Sequence, residues 1–291
     1  MNWQVPQLPA PSMAASSSQS LGLCVADSAG PESSQRCAGD SAAEEAAAIL
    51  MALGQAVEQR DPHTARHCER LAVMSVALGL ALHLDRTSLV ALYRGAYLHD
   101  VGKVGIPDEI LFHPGRLTAE QWVIMRSHTV RGEEICRHVK AFKHVLPIIR
   151  HHHERWDGSG YPDGLRGAQI PLLARILQIA DIYDALTSPR PYKPAYSVKQ
   201  ALWIIEQETA RGLRDPEIVS LFFQLHGNVI SQIEPLGLVQ DGDFESMRDA
   251  LCNLQEALHA AGANARISSP PPRSEPQSGS LWAAADMWRT G

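Results

Sequence analysis

HHHERWDGSGYP, residues 151–162, joins three adjacent histidines and an acidic residue to a glycine-rich turn that ends in Tyr-Pro. Imidazole and carboxylate are both metal donors, so ligand chemistry and a shaped loop stand side by side in one short segment. Gly158 and Gly160 permit a turn that a Cβ would resist, and Pro162 stiffens it after Tyr161. The histidine run is internal and follows an apolar segment, which separates it from a terminal expression tag.

The segments on either side carry helical patterns. Ala141 to His153 is apolar at Val145, Leu146, Ile148 and Ile149 and reads as a core helix with a kink at Pro147. Further upstream, Thr118-Ala-Glu-Gln121 is a capping box, in which two side chains satisfy free N–H groups of a first turn, and the helix it opens delivers His128. Asp85 can cap a helix with Leu89, Leu92 and Ala96 inward, which ends at His99-Asp100 before Val101-Gly102-Lys103 breaks the chain. Asp61-Pro62 starts another helix whose first turn carries His63 and His67. Ordered structure is expected from the capping box at Ser41, followed by Ile49, Leu50, Leu53 and Val57 on one helical face.

Downstream of the turn, Pro171 to Ser188 reads as a helix burying Ile176, Ile179, Ala180, Tyr183 and Leu186. It carries Asp181 in an apolar neighbourhood, where a carboxylate needs a partner. Ser197 to Gln200 is a third capping box, and Asp215-Pro216 starts the helix of Leu221, Phe222 and Leu225. No stretch alternates with the period of a strand, and the expected fold class is all-α.

The chain has 291 residues, 45% of them apolar, which suffices for a buried core. A net charge of -6 gives no basic field for duplex nucleic acid or an anionic membrane surface. Cys24, Cys37, Cys68, Cys136 and Cys252 are scattered without a CxxC pair, so neither a disulfide framework nor a thiolate zinc site is indicated. The amino terminus has neither the basic nor the apolar region of a secretory signal, and the apolar stretch Leu71 to Leu84 is shorter than the roughly 18 residues of a membrane span. A cytoplasmic location without membrane attachment is expected. Residues 1–40 have the Ser, Ala, Pro and Gln bias of a disordered leader, and residues 265–291 read as a disordered tail. Between them lie one domain over 41–235 and a final helix over 236–264, whose Met247, Leu251, Leu254 and Leu258 form a packing stripe. The same stripe offers a surface for a homodimer or a signalling partner.

The imidazoles and carboxylates placed at helix ends or on core faces are His67, His99, Asp100, His128, His152, His153 and Asp181. A mononuclear zinc site takes about three protein ligands, so seven nitrogen and oxygen donors without a thiolate point to two metals sharing a carboxylate. Asp100 is the natural bridge. Donor softness favours Fe or Mn and leaves Ni, Co or Zn open.

The order of these blocks resembles the HD-GYP family. His67, His99-Asp100 with Gly102-Lys103, His128, the HHE at 152–154 with DGSGYP at 157–162, and ARILQIADIYDALTSPRPYK at 174–193 follow the family's signature from about Ala47 to Gln232. The resemblance implies an HD-superfamily helical bundle with a GYP loop extension. It also implies a metal-dependent phosphodiesterase that hydrolyses the bacterial second messenger cyclic di-GMP to linear pGpG, and on to GMP in some members. Carried over position by position, His67, His99, Asp100 and Asp181 hold one divalent metal, and Asp100, His128, His152 and His153 the other. Lys103 becomes a catalytic phosphate contact beside Asp100, with Tyr161, Arg190 and Lys193 as further substrate contacts. Asp184 is expected to support a ligand by hydrogen bonding, and Arg70 either supports the site or forms an ordinary salt bridge.

Two departures stand out. His63 replaces a glutamate found in several family members, so two metals are expected rather than a third one near His63, with pGpG accumulating. The segment before Asp215-Pro216 lacks a phenylalanine common in the family, a change in packing. The alternatives are an HD-superfamily hydrolase of another nucleotide, which the GSGYP and RPYK segments oppose, and a catalytically weak signalling module that binds cyclic di-GMP. The complete donor set opposes that last reading, since buried carboxylates and histidines are costly to cluster without use.

Overall fold

The computed structural model describes residue 45 and residues 48–60, 66–189, 195–227, 230 and 244–260, with side chains to residue 253. His63 and the Asp61-Pro62 helix start lie outside the described residues, as do the Ser41 box, Arg190, Lys193, the leader and the tail. Within the described residues the chain is helical and has no strand. After a leading helix α1 (48–58) come α2 (His67–Ala81), α3 (Arg86–Leu98), a 3₁₀ turn (Val101–Gly105), α4 (Asp108–Leu111), α5 (Ala119–Arg126) and α6 (His128–Cys136). The rest are α7 (Leu146–His151), α8 (Leu172–Thr187), α9 (Val198–Ala210), α10 (Pro216–His226) and α11 (Phe244–Ala260).

The core sits where α2, α3 and α8 meet. α2 buries Leu71 to Leu78 almost completely, and α8 buries Ile176 to Leu186, polar Gln178, Asp181 and Asp184 included. Helices covered on more than one side need little polar face, which accounts for the weak amphipathic pattern of α2. Phe244, Met247 and Leu251 of α11 are buried in the same core, with the Phe244 ring 5.7 Å from that of Tyr93. This part of the expected stripe is a packing face within the chain. No helix among the described residues is long and apolar enough to cross a membrane.

The capping signals place the helix starts. Asp85 accepts the Ser88 N–H, both arms of the Thr118–Gln121 and Ser197–Gln200 boxes are made, and Asp215 accepts the N–H groups of Glu217 and Ile218 with Pro216 following. Four expectations change. The helix over Ala141 to His153 divides into a 3₁₀ turn, Lys140–Phe142, and the six-residue α7. Pro147 lies in the first turn of α7, where its missing N–H leaves no bond unmade, so it starts the helix and does not kink it. The helix opened at Thr118 stops at Arg126, because Ser127 turns its hydroxyl and its N–H onto the Ile124 carbonyl, and His128 begins a new helix. Ile49 is 70% exposed, because α1 approaches α3 along the line of Leu50, Gly54 and Val57.

Candidate metal centre

Six of the seven donors lie at breaks or ends of helices, and the core holds those ends together. His67 opens α2, His99 caps the end of α3 with Asp100 next to it, and His128 opens α6. His152 caps the end of α7, with His153 following, and Asp181 alone projects from mid-helix, on α8. One contact decides the approach of Asp100 to His128. A Cβ on Gly102 would lie 1.9 Å from the His128 carbonyl oxygen, so only glycine lets the 3₁₀ turn press against α6.

The donors fall into two groups, His67, His99 and Asp181 in one and Asp100, His128, His152 and His153 in the other, each with its ligand atoms within 4.8 Å of one another. Asp100 faces both. Its Oδ2 is 3.3 Å from His99 Nε2, and its Oδ1 is 3.3 Å from His128 Nε2 and 3.9 Å from His152 Nε2. Lys103 Nζ donates to the same Oδ2 at 2.5 Å.

Three of the imidazoles are oriented alike. Nδ1–H donates to the backbone carbonyl three residues earlier: His99 to Ala96 at 2.9 Å, His128 to Met125 at 2.8 Å and His152 to Ile149 at 2.8 Å. That bond points Nε2 inward, and the Nε2 atoms of all three, with Asp100 Oδ1, are buried without a hydrogen-bond partner among the described residues. Four unmet polar atoms around one point would each destabilise the fold by about 1–3 kcal/mol, so the arrangement fits a bound cation better than a packed core. His67 differs: its Nδ1 lies 2.7 Å from Asp184 Oδ2, and Arg70 grips Asp184 through Nε at 2.5 Å and Nη2 at 3.0 Å. Asp184 therefore orients a donor, and Arg70 orients Asp184.

The electrostatics separate the groups. Burial pushes His128 down to about 4 and holds His152 and His153 well below the ordinary imidazole value, leaving neutral rings with free lone pairs. Burial also pulls on His99, but Asp100 and then Asp181 outweigh it and raise that ring to about 9. Burial would lift the Asp100 carboxyl; Lys103 and His99 outweigh it and hold Asp100 well below the usual carboxylate range. Asp184 is likewise held at about 2 against burial, by His67 and Arg70.

Tyr161 lies against the second group, its ring stacked on His153 at 4.9 Å and 25°. The Tyr161–Pro162 peptide is cis. Sequence reasoning assigned no role to Glu154, which is fully buried and accepts the N–H groups of Asp163 and Leu165, pinning the far side of the loop. Gly160 is tight on the near side, where a Cβ would meet the Arg155 nitrogen at 2.2 Å. Gln178, one turn before Asp181, donates to the carbonyls of His152 and Glu154 and ties α8 to the histidine turn. Its spacing from Asp181 was the available signal, since residues three apart share a helix face. His151 turns away toward Asp163 and Glu154, whose oxygens already take Arg150 and backbone N–H groups. A separate cavity of about 560 Å³ beside α3 and the start of α11 contains none of the donors.

A family profile described as HD domain matches residues 52–218. A 3'3'-cGAMP-specific phosphodiesterase of Vibrio cholerae is 38% identical over 169 residues, covering 58% of this chain and 36% of that protein. A cyclic di-GMP phosphodiesterase of Thermotoga maritima is 38% identical over 183 residues, covering 62% of this chain and 50% of that protein. The chain thus spans half or less of the length of these relatives. Among solved structures, a cyclic GMP-AMP-specific phosphodiesterase of V. cholerae superposes with a TM-score of 0.50 at 20% identity, over 72% of this chain and 53% of that one, a likeness of fold.

Proposed function

The chain belongs to the HD domain family, and from that premise we propose that it is a metal-dependent phosphodiesterase that opens cyclic di-GMP to linear pGpG. The observation that carries this reading is the ring of buried, unpartnered Nε2 atoms around a carboxylate with one oxygen toward each donor group. Membership of the family and the donor set together imply divalent metal binding. His67, His99, Asp100 and Asp181 would hold one cation and Asp100, His128, His152 and His153 the other, with Fe or Mn favoured by the imidazole and carboxylate mixture. Two bound divalent cations supply a polarised phosphodiester and a water of lowered pKa.

The chain's own groups do the rest. Lys103, beside Asp100, places positive charge where the phosphorus oxygens gain negative charge, and needs no reorganisation to do so. Tyr161, fixed by its stack on His153, offers a hydroxyl at the edge of the second donor group. Arg190 and Lys193 are proposed as further phosphate contacts. With His63 in place of a glutamate, two metals are proposed rather than three, and pGpG is the expected end product.

The relatives' names include both cyclic di-GMP and 3'3'-cGAMP as substrates at equal identity. Metal-loaded protein is therefore incubated with each dinucleotide and the products are resolved by chromatography over time, alongside elemental analysis of the protein. Accumulating pGpG with two metals per chain is the expected result. Cleavage of 3'3'-cGAMP alone would reassign the substrate, and cleavage of neither would sink the reading.

A further inference from the structure

Arg126 is the last residue of α5, a helix that buries none of its side chains. The Arg126 guanidinium carbon lies 5.2 Å from the centroid of the Tyr161 ring and 5.8 Å from that of Trp122. Because Tyr161 in turn stacks on His153, an exposed cation stands one aromatic ring away from the second donor group. Other cations nearby are engaged. Lys103 is on Asp100, Arg60 on Asp108 and the Lys103 carbonyl, and Arg131 on Ser127 and the Gly105 carbonyl. The Arg126 backbone carbonyl accepts the Thr129 hydroxyl, but its guanidinium makes no ion pair or hydrogen bond among the described residues. Contact with two rings uses its charge and leaves its N–H donors for a ligand.

A cyclic dinucleotide is a dianion. Metals and Lys103 would answer one phosphodiester, while the second must sit beside a centre that already holds Asp100 and Asp181. We infer that Arg126 is a substrate-binding residue whose guanidinium takes the second, uncut phosphodiester. A planar fork of N–H groups matches two phosphate oxygens, and a place between aromatic rings fixes its direction without a competing carboxylate. This inference rests on the phosphodiesterase reading above.

The test is the kinetics of Arg126→Ala and Arg126→Lys in metal-loaded protein. Cyclic di-GMP and 3'3'-cGAMP are compared with bis(4-nitrophenyl) phosphate, a diester with no second phosphate. Arg126→Ala should raise KM for the cyclic substrate roughly ten- to hundredfold, the loss typical of a charge-assisted hydrogen bond. Metal content should not change, kcat should fall much less, and Arg126→Lys should recover part of the affinity. The fall should be equal for the two cyclic dinucleotides, read as KM or, for one that is not cut, as an inhibition constant. They share the second phosphodiester but not the second guanine.

A loss confined to cyclic di-GMP would overturn the phosphate assignment. An equal loss on bis(4-nitrophenyl) phosphate would overturn it too, since Arg126 would then act only by positioning Tyr161. An unchanged KM in an enzyme whose wild type cuts the substrate sinks this inference alone. A wild type that neither cuts nor binds either dinucleotide sinks it together with the reading beneath it.

Discussion

In the group of His67, His99 and Asp181, a carboxylate lies among the donors, and a second, Asp184, braces one of them under the grip of Arg70. In the group of His128, His152 and His153, the donors other than Asp100 are all imidazoles, and the braces of His128 and His152 are neutral backbone carbonyls. Anionic surroundings hold a proton on His99 up to about 9, whereas at His128 burial outweighs the pull of Asp100 and keeps the ring neutral above about 4. Two pockets built from the same residue types therefore differ in what a cation must displace. The first gives up a proton, and the second is already in its ligating form.

The largest effect should come from removing what the pockets share. Asp100→Asn keeps the shape but takes away the negative charge facing both, so bound metal and hydrolysis should both collapse while the helical circular dichroism persists. The loss should exceed the roughly 10–100-fold that a supporting residue contributes. Retained turnover would end the account of two pockets joined at one carboxylate.

A middle-sized effect should separate them. Asp184→Asn weakens the brace on His67 and weakens the grip of Arg70 on residue 184, so affinity in the first pocket should fall about 10–100-fold while the second pocket holds its metal. Metal titration followed by elemental analysis reads this directly, and an equal fall in both pockets would show that they do not act independently.

The smallest effect is in pH. A ring raised to about 9 contributes stability in metal-stripped protein that is full below the ordinary imidazole value and is lost as pH rises through 9. Cation uptake by the first pocket should therefore tighten as pH rises toward 9 and release a proton. Uptake by the second pocket should stay flat over the same range. Calorimetry near neutral pH in two buffers of different ionisation enthalpy counts that proton, and uptake without proton release would remove the distinction drawn between the groups.

What the sequence determined by itself is local. Thr118, Ser197, Asp85 and Asp215 cap their helices because a side-chain oxygen and the N–H groups it serves are within three residues, so reading the chain in order is enough. Local signals likewise placed His99 and Asp100 at a helix end, where Gly102 and Lys103 break the chain. Local reasoning failed at Pro147 and Ser127, where the residues were visible but two short helices competed with one long one. The tertiary structure alone decided which oxygen of Asp100 faces which group, that Asp184 binds His67 across 117 residues of chain, and that Gly102 must lack a Cβ to let the 3₁₀ turn reach α6. It also decided that Glu154, Gln178 and Arg126 belong to the surroundings of the centre. Such contacts depend on helices closing over a shared core, and no pattern within a few residues of chain encodes the distance between two helix ends.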